Sequence, residues 1–301
     1  MPQLNYQPNS RLQPTPVKKH RAGWLVILVM LVGIGAGAHW LDSKHLLNPK
    51  TLAHSLSQAP AQPTAAQLAT MNSQINQVIA VNPNMQIGVA ITNINNNKAY
   101  NYGVSDPFIA ASVGKLITAS LYLHDVESGQ YTLSQSLSYD TAQNEMYNMI
   151  VNSDNTAWLD FNNLLGDDSL QSYANSIGLN NYDPSVNTLT ASDISALLSK
   201  LYQGQLLNQA DTQLMLADLK AADSDYPQYI VSAIPKGVTV YHKVGWLIDR
   251  VHDVAIITNG TRSYSLVIFT KANDGNYDEL AGERVFHQIT QITSQTFLPK
   301  N

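Results

Sequence analysis

β-strand signals occur in two separate places in this chain, around residues 86–103 and 239–270, and helical pattern fills the stretch between them. This constrains the fold more than any other feature. Gln86–Thr92 alternates and is rich in β-branched residues, Asn93–Lys98 is turn-like, and Ala99–Gly103 supplies a returning strand. Further on, strands are predicted at Thr239–Trp246, Val254–Thr258 and Ser263–Thr270, the last two flanking Asn259-Gly260, a strong hairpin signal. The region of about 108–222 reads as helices joined by polar loops, with one helix ending near Gly129 and another over Ala191–Tyr202 capped by Thr190 or Ser192. A last amphipathic helix spans about Asp278–Phe297. The expected fold class is mixed α/β (α+β): one antiparallel sheet built from both chain ends, flanking helices, and an inserted helical lobe.

The N-terminal part is different in kind. Residues 1–22 carry Arg11, Lys18, Lys19 and Arg21 and no acid, so the remainder holds −9 of a total net charge of −5. Trp24–Ala38 is uncharged and mostly apolar, and basic residues before such a run keep the N-terminus in the cytoplasm. Two readings stand: a signal segment cleaved after Ala38, or a membrane anchor over residues 24–41. Both place the rest outside the cytoplasm. The domains expected are a basic tail 1–22, a transmembrane or signal segment 23–41, a polar linker 42–63 and a globular domain 64–301. The domain is set to begin where Leu68, Met71, Ile75 and Ile79 start a helical repeat.

Composition removes whole classes of chemistry. The chain has no cysteine, which excludes disulfides, thiolate metal sites and a cysteine nucleophile. Its eight histidines show no ligand spacing, so neither a metal nor another cofactor is expected. An acidic domain also lacks the basic surface that nucleic-acid binding requires.

Three short motifs carry the chemistry that remains. Ser112 and Lys115 stand three apart, which puts both on one face of a helix, behind the apolar Phe108-Ile109-Ala110-Ala111. Burial and a helix N-terminus each disfavour an ammonium ion, so both lower the Lys115 pKa and suit it to take the Ser112 proton. Taken alone the pair also fits a capping serine beside a solvated lysine. Ser153-Asp154-Asn155 precedes Trp158, Leu159 and Phe161 and has the form of a helix N-cap. Lys243-Val244-Gly245 lies in the strand-like Val238–Leu247, where a lone lysine also serves as edge protection.

In their order, with spacings of 41 and 90 residues, the motifs resemble the S-x-x-K, S-D-N and K-T-G elements of the class A β-lactamases and penicillin-binding proteins. The resemblance covers about residues 64–298. It implies a serine hydrolase with Ser112 as nucleophile, Lys115 as its base and Ser153 as proton shuttle to the leaving nitrogen. Asn155 would bind the substrate's side-chain amide, and Lys243 would attract a substrate carboxylate. Gly245 would admit the substrate backbone, and the Trp246 amide would complete an oxyanion hole with that of Ser112. The implied partner is a small-molecule or peptidoglycan-peptide substrate, with β-lactams as further candidates.

Two departures qualify this. Val244 replaces the hydroxyl residue of K-T-G, removing a donor to the substrate carboxylate, with Arg250 or Arg262 as candidate replacements. No glutamate occurs between Glu145 and Glu279, whereas class A enzymes carry a loop glutamate that activates the deacylating water. Asp183 is the nearest carboxylate in that loop, and it also reads as a turn residue before Pro184. Slow deacylation is therefore expected. The alternative reading is a non-catalytic cell-surface module that uses the same cleft to hold a peptide.

Overall fold

The computed structural model describes residues 62–222 and 228–299. The basic tail, the apolar segment 24–41 and nearly all of the linker lie outside the described residues. Among the described residues, no helix is long and apolar enough to cross a membrane.

The chain enters through helix α1 (Ala65–Ala80), capped by the Thr64 side chain, with Gln67 reaching back to complete a capping box. A hairpin follows, β1 (Met85–Asn93) and β2 (Lys98–Gly103). After the short strand β3 (Phe108–Ile109), a tight 3₁₀ turn (Ala111–Gly114) leads into α2 (Lys115–Glu127). The helical lobe continues with α3 (Ala142–Ile150), α4 (Asn155–Leu165) and α5 (Asp167–Ser176). Strand β4 (Thr188–Leu189) pairs with β3, and α6 (Ala191–Tyr202) and α7 (Gln209–Lys220) follow. The chain returns through α8 (Tyr229–Ala233) to β5 (Thr239–Leu247), β6 (Arg250–Thr258) and β7 (Ser263–Ala272), and ends in α9 (Glu279–Phe297).

The five long strands form one antiparallel sheet in the order β2-β1-β7-β6-β5. The pairing of β1 with β7 joins the two ends of the domain, as expected from the placement of the strand signals. Both faces are covered. On one, Val254, Ile256, Val267 and Phe269 pack with Leu116, Ile117, Tyr122 and Phe161 of the helical lobe. On the other, Val251, Ile257, Leu266 and Ile268 pack with Met71, Ile75, Val285 and Phe286 from α1 and α9. These side chains are almost entirely excluded from water, so truncating one to alanine costs about 2–5 kcal/mol.

Helix α6 spans the residues expected for it, with Thr190 as its cap. A buried chain of hydroxyls ties it to the sheet: Ser195 Oγ lies 2.8 Å from Thr92 Oγ1 on β1 and 2.8 Å from Ser265 Oγ on β7. Strand β6 starts four residues earlier than its apolar pattern indicates, because Arg250, His252 and Asp253 are buried strand residues. Strand β5 lies at the edge of the sheet, with its Gly245 end beside the turn that carries Ser112.

Candidate active site

Two segments far apart in sequence meet at the Lys115 amine. Lys115 opens α2 and is fully buried, while Ser112 is half-buried in the turn before it. Lys115 Nζ lies 3.0 Å from Ser112 Oγ, 2.6 Å from the Ser153 carbonyl oxygen, 3.3 Å from Ser153 Oγ and 2.8 Å from Asn155 Oδ1. Two of these partners, the Ser153 carbonyl and Asn155 Oδ1, can only accept. A neutral amine has two N–H bonds for them and one lone pair left for a hydroxyl.

Electrostatics favour that neutral form. The Lys115 pKa is lowered from 10.5 to about 7, chiefly by burial and then by the nearby positive charge of Lys243, with Asp154 opposing both. The amine also sits 5.4 Å from the centre of the Trp158 ring, a contact that favours the cation but is a smaller effect than burial. The indole is held in place by its own hydrogen bond from Nε1 to Thr118 Oγ1 at 2.9 Å.

The second motif is positioned by a helix cap and a strained residue. Asp154 caps α4 through one carboxylate oxygen, which accepts from Thr156 N at 2.6 Å and Ala157 N at 3.0 Å. Ser153 before it adopts φ +56°, a left-handed conformation that costs a non-glycine residue about 1–2 kcal/mol. The cap reading and the site reading thus hold together: the cap fixes the helix start, and the helix start presents Ser153 and Asn155 to Lys115.

The third motif lies across from them. Lys243 is buried on β5 and near enough to Lys115 to lower its pKa. Trp246 is 53% exposed at the end of the same strand, next to the exposed Leu247 and Ile248. Gly245 has a packing role that its motif does not reveal. A Cβ there would come within 2.7 Å of the Ala110 carbonyl oxygen and 3.2 Å of Val113 N. The side-chain space of Gly245 is therefore filled by the turn that carries Ser112.

The candidate replacements for the missing hydroxyl and the missing glutamate are otherwise engaged. Val244 is paired across the strands with Asp253, which is fully buried and accepts from Ile230 N at 2.9 Å while lying 3.2 Å from His242 Nδ1. Arg250 is bound through two 2.7 Å hydrogen bonds to Asp249. Arg262 lies in the β6–β7 turn, at the end of the sheet away from Gly245. Asp183 is exposed, and its carboxylate accepts from Ser185 N at 3.0 Å and Ser185 Oγ at 2.6 Å, a turn closed on itself.

Two residues outside the motifs also hold the turn. The Asn187 carbonyl accepts from Ala110 N at 2.8 Å, and its Nδ2 donates to the Ala111 oxygen at 2.9 Å. His252 Nε2 lies 2.9 Å from the Ile109 oxygen. Nothing local marks either one in the sequence, since their contacts span 76 and 143 residues.

Solved structures share this architecture. PBP-A aligns with a TM-score of 0.69 at 21% identity, over 79% of this chain and 98% of its own. A variant of PBP-A, solved as an acyl-enzyme complex with penicillin G, aligns at 0.68 and 22% identity over 76% and 96%. The β-lactamase from Sphaerobacter thermophilus DSM 20745 aligns at 0.66 and 22% identity over 75% and 95%. At these identities the likeness establishes the fold. No curated protein matches the chain by sequence. The β-lactamase enzyme family matches over residues 70–147 and 141–297, nearly the whole described region, and the chain belongs to that family of serine hydrolases.

Proposed function

We propose that this domain performs acyl transfer through Ser112 on a cell-wall-type amide or a β-lactam, with slow deacylation. The observation that carries the reading is the fully buried Lys115 amine, 3.0 Å from Ser112 Oγ and with a pKa lowered to about 7. The neutral amine takes the Ser112 proton as Oγ attacks the substrate carbonyl carbon. Collapse of the tetrahedral adduct breaks the C–N bond, and the leaving nitrogen receives the proton by way of Ser153. Lys243 and the exposed edge of β5 hold the substrate, Asn155 positions its amide, and the Ser112 and Trp246 amides receive the developing oxyanion. Slow deacylation is supported by the engagement of Asp183 within its own turn and by the absence of any glutamate between Glu145 and Glu279. The apolar tract at 24–41 supports an extracytoplasmic domain, anchored or released.

Intact-mass spectrometry of the full-length protein with penicillin G tests this. A long-lived adduct, lost in Ser112→Ala while the variant keeps its melting temperature, is the expected result. An adduct that survives the substitution removes Ser112 from the role. Binding of penicillin G or a wall peptide with no covalent product, unaffected by Lys115→Met, would instead support a peptide-holding module, the reading that Val244 favours.

A further inference from the structure

The three carbonyl groups that precede Ser112 are each held in a different way. The Ala111 oxygen accepts from Asn187 Nδ2 at 2.9 Å. The Ala110 oxygen packs over Gly245, where a Cβ would approach it to 2.7 Å. The Ile109 oxygen lies 2.9 Å from Nε2 of His252, a residue with no solvent exposure. Gly245 and His252 face one another across β5 and β6, so one cross-strand pair supplies both a floor and a clamp for the turn.

The imidazole is fixed on all sides. Its ring lies 4.3 Å from that of Phe269 and 5.8 Å from that of Phe108, measured between centres. Nδ1 accepts from Thr270 N at 3.3 Å. The Val251 oxygen, 2.8 Å from Nδ1, already has a donor in Thr270 Oγ1 at 2.6 Å. With Nδ1 as the acceptor from Thr270 N, the tautomer proposed here carries its proton on Nε2, facing the Ile109 oxygen. Burial pushes the imidazole pKa down to about 4, against the two carbonyl contacts, with Arg250 lowering it and Asp249 raising it further out.

Such a clamp matters because the turn is strained. Ala111, directly before the nucleophile, has φ +50° and would relax without restraint. We infer that His252 is a positioning residue for acyl transfer: by holding the Ile109 carbonyl it fixes the Ala110–Gly114 turn against β5, and with it the Ser112 hydroxyl and amide. The inference rests on the reading of Ser112 as nucleophile, and it assigns His252 no contact with substrate.

The test compares full-length wild type with His252→Phe and His252→Gln. Phenylalanine keeps the aromatic packing and loses the donor, whereas the glutamine amide keeps a donor for the Ile109 oxygen. Two readouts are taken: backbone amide exchange over residues 110–115, and the acylation rate constant with penicillin G at saturation. His252→Phe is expected to speed exchange about tenfold and slow acylation about tenfold to a hundredfold at unchanged half-saturation, with His252→Gln recovering most of both. Wild-type values for both readouts in a folded His252→Phe overturn the inference. If wild type itself takes up no penicillin G on Ser112, that reading of the reaction fails, and the exchange readout alone decides His252. If His252→Phe does not fold, histidine nitrogen NMR of wild type decides, since a proton found on Nδ1 overturns the clamp.

Discussion

Asn155 Oδ1 accepts a hydrogen bond from Lys115 Nζ at 2.8 Å, so the side chain that ends the second motif sets the orientation of the amine in the first. With the Ser153 carbonyl 2.6 Å away, both N–H bonds of a neutral Lys115 are occupied, and its lone pair is directed at Ser112. In the proposed reaction, acylation therefore needs the unprotonated amine. The acylation rate should rise with pH along a single limb centred near pH 7, where the Lys115 pKa lies. Lys243 contributes to that depression, so Lys243→Ala should move the limb to higher pH as well as weaken substrate binding. Penicillin G labelling of Ser112 followed from pH 5 to pH 9 reads both. A limb that stays in place in Lys243→Ala removes that lysine from the electrostatics of the base.

Gly245→Ala is expected to damage the proposed reaction through the turn that carries Ser112. The added methyl group meets backbone atoms, the Ala110 oxygen at 2.7 Å and Val113 N at 3.2 Å, and these cannot swing aside as a flexible side chain would. The turn must move off β5, which carries Ser112 with it. Acylation should fall about a hundredfold, since a displacement of about 1 Å in a reacting group costs that much. Labelling kinetics with the melting temperature measured alongside test this. A variant that acylates at the wild-type rate shows that the turn can shift without consequence.

The sequence and the structure agree where the signal is local. Helix α6 and strand β5 follow from periodicity and caps, whereas the meeting of Ser112, Lys115, Ser153 and Asn155 is implied by the resemblance of the motifs to a known family. The start of β6 follows from neither, because Arg250-Val251-His252-Asp253 has the composition of a turn. Arg250 pairs with the adjacent Asp249, whereas His252 meets the Ile109 carbonyl and Asp253 meets Ile230 N and His242, partners that a local reading does not show. The β3–β4 pair, two residues on each side, is too short to leave a periodic trace. Gly245 shows the reverse case, in which a motif position was legible but its packing role needed the third dimension.

His252 also predicts a pH dependence of stability. Its folded pKa of about 4 lies below the ordinary 6.5, so between these values the unfolded chain binds more protons than the folded one. Stability from this group is complete above pH 6.5 and is lost as the pH falls toward 4, by about 3 kcal/mol over the window. Asp218, raised to about 6 by burial, has the opposite sign over part of the same range. The quantity to measure is thus the difference between wild type and His252→Phe, from denaturant unfolding at pH 4, 5, 6 and 7. The wild type should lose more stability on acidification than the variant. Parallel curves would show that the imidazole is not held neutral in the fold.

Val244→Thr should show what the edge of β5 recognises. The valine presents no donor, Arg250 is bound to Asp249, Arg262 lies at the other end of the sheet, and the residue paired with Val244 is the carboxylate Asp253. A substrate carboxylate at this edge thus meets the Lys243 charge but none of these donors. One hydrogen bond to a charged group contributes about 1.5–3 kcal/mol, so a hydroxyl at position 244 should raise the efficiency of acylation by penicillin G about tenfold or more. The gain should appear in half-saturation as well as in rate, and an ester probe without a carboxylate should show none of it. Equal gains for both probes would mean that the hydroxyl acts on the strand and not on the ligand. No gain for either would mean that the carboxylate does not lie along this edge.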